Sequence, residues 1–144
     1  MHTRDLAPPV GFEPLARKSP LTNPWEPIFS RDTERAVVLG LYARTVHTNS
    51  RGFVHGGLIG ALCDAAMGYS CAKIAMQPGL VTVSLSLDYL SSAHEGQWLE
   101  FDTVFVKPGK TLSFAQAFVT ADGQPCARAN AVFRAVGEMR RSAA

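Results

Sequence analysis

The chain has 144 residues, of which 47% are hydrophobic and 18% charged, and its formal net charge is +2. This length suits one domain with enough apolar chain to bury a core. The small charge provides no basic stripe for nucleic acid. The three cysteines form no CxxC pair, which argues against a disulfide framework and against structural zinc. We therefore expect one cytoplasmic domain with no nucleic-acid partner.

The first 27 residues are rich in proline, which excludes a regular helix or a central strand there. We expect residues 1–27 to form an irregular arm over the domain, anchored by Phe12 and Trp25. The folded domain is predicted at 28–137 and a short tail at 138–144. The N-terminus lacks the continuous apolar core of a signal peptide.

A long apolar run at residues 56–76 predicts a helix, which the Gln-Pro-Gly sequence at 77–79 terminates. The run resembles a membrane span in length. However, Asp64 and Lys73 lie within it, and a lone span with a mid-helix acid is rare. We therefore expect no membrane contact, but a helix enclosed by a sheet and a partner subunit.

The chain outside the arm and the helix is typical of strands. Residues 81–90 alternate apolar and polar side chains, which is the clearest strand pattern in the sequence. The predicted fold class is α+β, with one long helix, then an antiparallel meander of four strands curled round it, and an early strand pair at one edge. The predicted strands are 28–31, 35–42, 81–90, 98–106, 112–120 and 125–136.

The strongest functional pattern is HTNSRGFVHGGLIGALCD at residues 47–64. Gly56 and Gly57 begin the apolar run and allow another group to approach the backbone closely. The first N–H groups of a helix have no partner within it and form an anion site. A carboxylate within an apolar helix, here Asp64, is costly unless it has a function. The pattern favours an oxyanion hole with a catalytic carboxylate over a plain helix start with one tolerated acid.

Gly56 and Asp64 are too far apart to act on one carbonyl from the same chain, because eight helical residues span about 12 Å. A twofold dimer with antiparallel helices would bring Gly56 of one chain near Asp64 of the other, twice. The spacing predicts either an active site shared by two chains or an error in one of the two assignments.

Four matches in order make the sequence resemble the hotdog-fold acyl-CoA thioesterases, in particular the PaaI-like subgroup related to phenylacetate degradation. They are HTN at 47–49, G-x-x-HGG at 52–57, Asp64 nine residues after the histidine of HGG, and KPGKT at 107–111. The resemblance covers residues 28–136. It implies a hotdog fold and hydrolysis of acyl-CoA to a free acid and coenzyme A without a metal or organic cofactor. It also implies a homodimer that pairs into a tetramer.

In this interpretation the backbone amide of Gly56 is the oxyanion donor, while Gly57 keeps the backbone accessible to substrate. Asp64 is either the general base that activates water or a nucleophile that forms an acyl anhydride. The sequence leaves both routes open.

The resemblance implies supporting roles for three further residues. The amide of Asn49 would bind the substrate carbonyl or a water, and His55 would fix the loop or touch the substrate. Thr82 would orient the acid or its water. The strand alternation places Thr82 on the face away from the helix, so we expect it to reach Asp64 only across a subunit boundary. His47 receives no role from the sequence.

The KPGKT turn places two ammonium groups, Lys107 and Lys110, on a hairpin tip with Gly109 and Thr111. Such a tip is suited to the phosphates of coenzyme A. A plain solvated hairpin is an equally favoured interpretation.

The main alternative is a non-catalytic acyl-CoA-binding hotdog protein, a sensor or regulator, although binding alone does not require Asp64. A hotdog dehydratase would need a histidine in a different motif. Cys63 is predicted to be a core residue, since it points about 100° away from Asp64 on a helix. The acyl group stays open between aryl, short-chain and medium-chain. Candidates for lining its chamber are Leu62, Met67, Tyr69 and Met76.

Overall fold

The structure is a computed structural model that describes residues 6–137, so the predicted tail at 138–144 lies outside the described residues. Within them, one long helix lies against an antiparallel sheet of seven strands in the order β1-β2-β3-β5-β6-β7-β4. The predicted α+β class, a long helix wrapped by a curved sheet, is confirmed. The elements are β1 (Glu13–Pro14), a 3-10 turn (Asn23–Trp25), β2 (Phe29–Asp32), β3 (Val37–Tyr42), a second 3-10 turn (Thr45–His47), α1 (Gly56–Ala75), β4 (Leu80–Tyr89), β5 (Trp98–Lys107), β6 (Leu112–Ala121) and β7 (Gln124–Ala135).

Helix α1 begins and ends as the sequence predicts. His55 has an extended backbone and caps the first turn with its side chain. The helix ends at Met76, whose left-handed backbone (φ 54°) precedes the Gln-Pro-Gly sequence. α1 is long and apolar enough to cross a membrane, but half of its apolar window is buried within this fold. It contacts every strand from β3 to β7, as a core helix does.

The strand order corrects the predicted meander of four strands. β5, β6 and β7 are consecutive neighbours, but β4 pairs with β7 at the far edge, and β3 lies beside β5 instead. The connection from β4 to β5 is too long for a tight hairpin turn. It passes the loop before α1, where Phe53 and His94 form an isolated bridge. This crossing allows the sheet to enclose the helix from both sides.

Strand β4 contains an irregularity that its alternating sequence does not reveal. The register against β7 shifts between Thr82 and Ser84, which makes Val83 the extra residue of a β-bulge. The extra residue shifts the alternation by one position. Thr82 before the bulge and Leu87 after it therefore both face α1, although one position is even and the other odd. The expectation that the apolar side of the strand covers the helix therefore holds only beyond the bulge. The edge strand exposes Val81, Val83, Leu85 and Tyr89.

The N-terminal arm packs against the domain as expected. Leu15 is buried in the main core, and Trp25 packs against the same cluster. Phe12 lies on the other face of the sheet, where its ring contacts the edge of Trp98 at 5.1 Å between centroids. The predicted anchors, Phe12 and Trp25, are thus confirmed. The arm contains one element of sheet, the two-residue strand β1, which pairs with β2.

Candidate active site

Asp64 lies half-buried in the middle of α1 and is held by one neighbour. The Thr82 hydroxyl donates a hydrogen bond of 2.5 Å to Asp64 Oδ1. Both residues belong to the same chain, so the expectation that they meet only across a subunit boundary is wrong. The physical reason is the bulge at Val83, which turns Thr82 toward the helix. Among the described residues, Asp64 Oδ2 has no hydrogen-bond partner. Thr82 therefore orients the carboxylate through Oδ1, and Oδ2 is available to a water or a substrate.

In the described part of the chain, the start of α1 leaves the Gly56 amide without an acceptor. The Gly57 N–H donates to His55 Nδ1 at 2.8 Å, so the histidine ring occupies this amide. Within residues 6–137 the Gly56 N–H contacts no acceptor, as expected of the first residue of a helix. Of the two glycines, Gly56 is therefore the one that can donate to a ligand, while His55 fixes the helix start.

Tyr89 is a site residue that the sequence interpretation missed. Its hydroxyl donates to the Gly56 carbonyl oxygen at 2.6 Å. A Cβ atom on Gly56 would lie 3.1 to 3.3 Å from atoms of the Tyr89 side chain, so the glycine leaves room for this close approach. The alternation of residues 81–90 identifies Tyr89 only as an apolar strand residue. Its hydroxyl at a strand end was the available signal.

The loop before α1 is shaped by Asn49. Its Oδ1 accepts hydrogen bonds from the backbone amides of Arg51 at 2.9 Å and Phe53 at 3.2 Å. The oxygen therefore organises the loop, which leaves only the Nδ2 amide group to donate to a substrate carbonyl.

His47 ties this loop to the arm. The ring is buried, and Nδ1 accepts from the Arg44 amide at 2.9 Å. Nε2 lies 2.9 Å from the Trp25 carbonyl oxygen. Because that oxygen can only accept, Nε2 carries the proton and donates. The HTN pattern thus gains a structural role that the sequence did not show, which is to pin the arm beside the helix.

Two cavities lie along the outer face of α1, beneath the arm. One, of about 310 Å³, contains Asp64 and Thr82, and the other, of about 380 Å³, contains His55 and Gly57. Of the four predicted chamber residues, Tyr69 lines the first cavity. The other three line neither cavity, because Leu62 and Met67 are fully buried and Met76 is 88% exposed at the end of the helix.

The KPGKT segment forms the predicted hairpin tip between β5 and β6. Gln77 Nε2 lies 3.5 Å from the Gly109 carbonyl oxygen and 3.4 Å from that of Lys110. The tip therefore lies at the C-terminal end of α1, about 17 Å along the axis from Asp64. The structure does not bring the tip near Gly56 of the same chain.

Metal-binding side chains do not cluster in residues 6–137, where no group of three or more His, Cys, Asp or Glu could hold an ion. Cys63 is fully buried. Its burial, and then the nearby Cys126 and Asp64, raise the pKa of the Cys63 thiol to about 12. Cys63 is therefore a core residue, as predicted.

The model of the thioesterase superfamily matches residues 51–127, from the loop before α1 into β7 and more than half of the chain. The chain belongs to the thioesterase superfamily. This thioesterase is 39% identical over 127 residues to PA0474 of Pseudomonas aeruginosa, named as a candidate esterase, across 87% of this chain and 95% of that protein. It is 37% identical over 76 residues to mouse acyl-coenzyme A thioesterase 13, across 51% of this chain and 53% of that protein. A solved mutant of the phenylacetic acid degradation protein PaaI from Thermus thermophilus has a similar structure, with a TM-score of 0.73 at 19% identity, over 82% of this chain and 100% of that chain.

The family model and the named relatives confirm the reaction class of the thioesterase, which is thioester hydrolysis. The similarity to PaaI, at 19% identity, confirms the predicted hotdog fold. The family match begins at residue 51, so it excludes the arm, His47 and Asn49. The roles of individual side chains in this thioesterase stay predictions.

The buried His47 predicts a pH dependence for the stability of the thioesterase. Burial lowers the pKa of His47 below its ordinary value of 6.5. Below about pH 6.5 the unfolded chain therefore binds a proton that the folded chain does not, and this part of the stability is lost as the pH falls. Between pH 6.5 and the lowered pKa, His47 contributes a slope of up to about 1.4 kcal/mol per pH unit to the free energy of unfolding. We expect His47→Gln to remove this contribution. Urea unfolding at several pH values measures it, and equal slopes in both proteins would contradict the assignment.

Proposed function

We propose that this protein is an acyl-CoA thioesterase in which Asp64 of one chain and the Gly56 amide of its partner act on the same thioester. The observation that carries the proposal is the Asp64 carboxylate, oriented by Thr82 and facing a cavity along α1. The name of the mouse relative, acyl-coenzyme A thioesterase 13, supports coenzyme A as the thiol half of the substrate.

The chemistry requires polarisation of the carbonyl and delivery of a nucleophile. As the tetrahedral intermediate forms, negative charge on the carbonyl oxygen is stabilised by the Gly56 N–H at the positive end of α1. Asp64 either removes a proton from the attacking water or attacks the carbonyl carbon itself. The C–S bond then breaks, and the thiolate of coenzyme A leaves and takes up a proton. In the second route, water hydrolyses the resulting acyl anhydride.

The geometry of one chain supports a homodimer. Gly56 and Asp64 are eight residues apart on one continuous helix, or about 12 Å along its axis, so one chain cannot present both to a single carbonyl. β4 is an edge strand of the sheet that exposes Val83 to 58%. An apolar strand edge of this kind is suited to pairing with a second copy. Two chains paired through β4 would set their helices antiparallel.

Two finer parts of the proposal concern the surface. The outer face of the sheet exposes Phe105 and Phe114 to 54% and 42%, which supports pairing of dimers into a tetramer.

We also propose that Lys107 and Lys110 bind phosphates of coenzyme A as point charges. In a dimer with antiparallel helices, this hairpin tip lies about 17 Å along the helix axis from the shared site.

The reaction as proposed uses water and groups of the chain, without a metal or organic cofactor, and takes place in the cytoplasm. The three cysteines are all free and buried, which fits a reducing compartment.

A panel of aryl and aliphatic acyl-CoAs tests the proposed function. We expect release of free thiol, followed with a thiol reagent, for at least one member of the panel. Isothermal titration with the same compounds provides the second measurement. Acyl-CoA binding without any thiol release would overturn the enzyme and favour the sensor.

A further inference from the structure

The two cavities along α1 meet at one residue of the arm. Both are lined by Leu21 and Ala61, so Leu21 faces the helix at the point where the cavities adjoin. Leu21 is 65% exposed. It is therefore not a core residue, although it lines both cavities.

Residues 17–26, here named the arm loop, are held in place by several independent contacts. Lys18 and Glu26 form an ion pair of 2.9 Å across the base of the loop. The Arg17 guanidinium lies 4.6 Å from the centre of the Tyr69 ring on α1. The His47 ring donates to the Trp25 carbonyl. These contacts hold the arm loop against the helix, so the size of a side chain at its tip affects the space beneath it.

The wall opposite Leu21 is formed by α1 and the sheet. Its helix side consists mainly of small residues, and Phe133 and Leu80 close the cavity from the sheet side. Asp64 is the only charged side chain among the residues that line this cavity. A negatively charged acyl group would therefore meet a carboxylate without a lining cation, which is unfavourable. The chemistry of the cavity suits an uncharged, apolar acyl group. The small residues are Ala61, Ala65, Gly68 and Ala72.

We propose that the arm loop forms one wall of the acyl-binding cavity and that Leu21 determines the length of the apolar acyl group accepted. This proposal rests on the proposed thioesterase function and adds to it a specificity residue in a segment that lies outside the family match. Shortening Leu21 joins the two cavities into a longer channel, whereas a larger side chain separates them.

Kinetics of Leu21→Ala and Leu21→Trp with butyryl-, octanoyl-, lauroyl-, phenylacetyl- and succinyl-CoA test the proposal. We expect Leu21→Ala to raise the ratio of kcat/KM for lauroyl-CoA to that for butyryl-CoA by at least about fivefold, and Leu21→Trp to lower it, since pocket contacts of this size change specificity by such factors. Succinyl-CoA should be the poorest substrate throughout. Val10→Ala is the matched control, because Val10 is an arm residue with 97% exposure that lines neither cavity.

The outcomes separate this proposal from the proposed function. Hydrolysis by the wild type with the same chain-length profile in both Leu21 variants would overturn the specificity role alone. If the wild type hydrolyses nothing, the proposed function fails. The dissociation constants of S-butyl- and S-dodecyl-CoA thioethers then test the wall directly. The proposal would be overturned if Leu21→Ala leaves the ratio of the two dissociation constants unchanged.

Discussion

Asp64→Asn is expected to lower kcat for thioester hydrolysis by at least about a hundredfold, because a positioned general base or nucleophile contributes about 10²–10⁴-fold. The substitution preserves size and leaves an oxygen that can still accept the hydrogen bond from Thr82. It removes the negative charge and with it the ability to take a proton or attack a carbonyl. Steady-state kinetics with the best acyl-CoA measure the effect, and KM should change much less than kcat.

Asp88→Asn is the matched control for this experiment. Asp88 is an exposed acid on the same strand as Thr82 and forms an ion pair of 2.9 Å with Arg128. Exposed ion pairs contribute little to stability, so the control should keep wild-type turnover. An Asp64→Asn protein that retains more than a tenth of the wild-type kcat would remove Asp64 from the chemistry.

The sequence predicts the helix and the strand bounds well because their signals are local. The Gln-Pro-Gly sequence at 77–79 and the alternation from residue 81 depend only on neighbouring residues. The partner of β4 is not a local property. Its pairing with β7 depends on how the whole sheet surrounds α1, and no turn residue specifies it.

The sequence also indicates part of the candidate site, where the residue roles stay predictions. Gly56 and Asp64 stand out because glycines and an acid are unusual at the start and in the middle of an apolar helix. The bulge at Val83 leaves the alternation of residue types unchanged, so the approach of Thr82 to Asp64 within one chain could not be predicted. The contacts of Tyr89 and His47 could not be predicted either, since their partners lie 33 and 22 residues away in the sequence.

The second large effect is expected from Gly56→Pro, which deletes the proposed oxyanion donor. Gly56 is the first residue of α1, the position where proline is best tolerated in a helix. His55 before it has φ −64° and ψ 130°, the extended conformation that a following proline requires. The substitution therefore removes one N–H with little cost to the helix. We expect kcat to fall by about 10²–10³-fold, as for other deleted oxyanion donors.

Gly56→Ala distinguishes the effect of losing the N–H group from the effect of adding a bulkier side chain. Alanine keeps the amide and adds only the Cβ, which would lie 3.1 to 3.3 Å from atoms of the Tyr89 side chain. Since Tyr89 is 55% exposed, it can shift by the small distance required, and we expect a much smaller loss than with proline. Equal losses in the two variants would indicate that crowding against Tyr89, and not the donor, explains the effect. Circular dichroism confirms that α1 is intact in both.

A hybrid dimer of Asp64→Asn and Gly56→Pro subunits decides whether one site is shared by two chains. If Asp64 of one chain works with Gly56 of the other, the hybrid has one site with both groups intact and one site with both removed. Purified through two different affinity tags, it should recover about half of the wild-type activity per dimer. If each chain used its own pair of groups, every site in the hybrid would carry one defect. The hybrid would then be as inactive as either parent, and the 12 Å separation along α1 would have to be bridged by some other group.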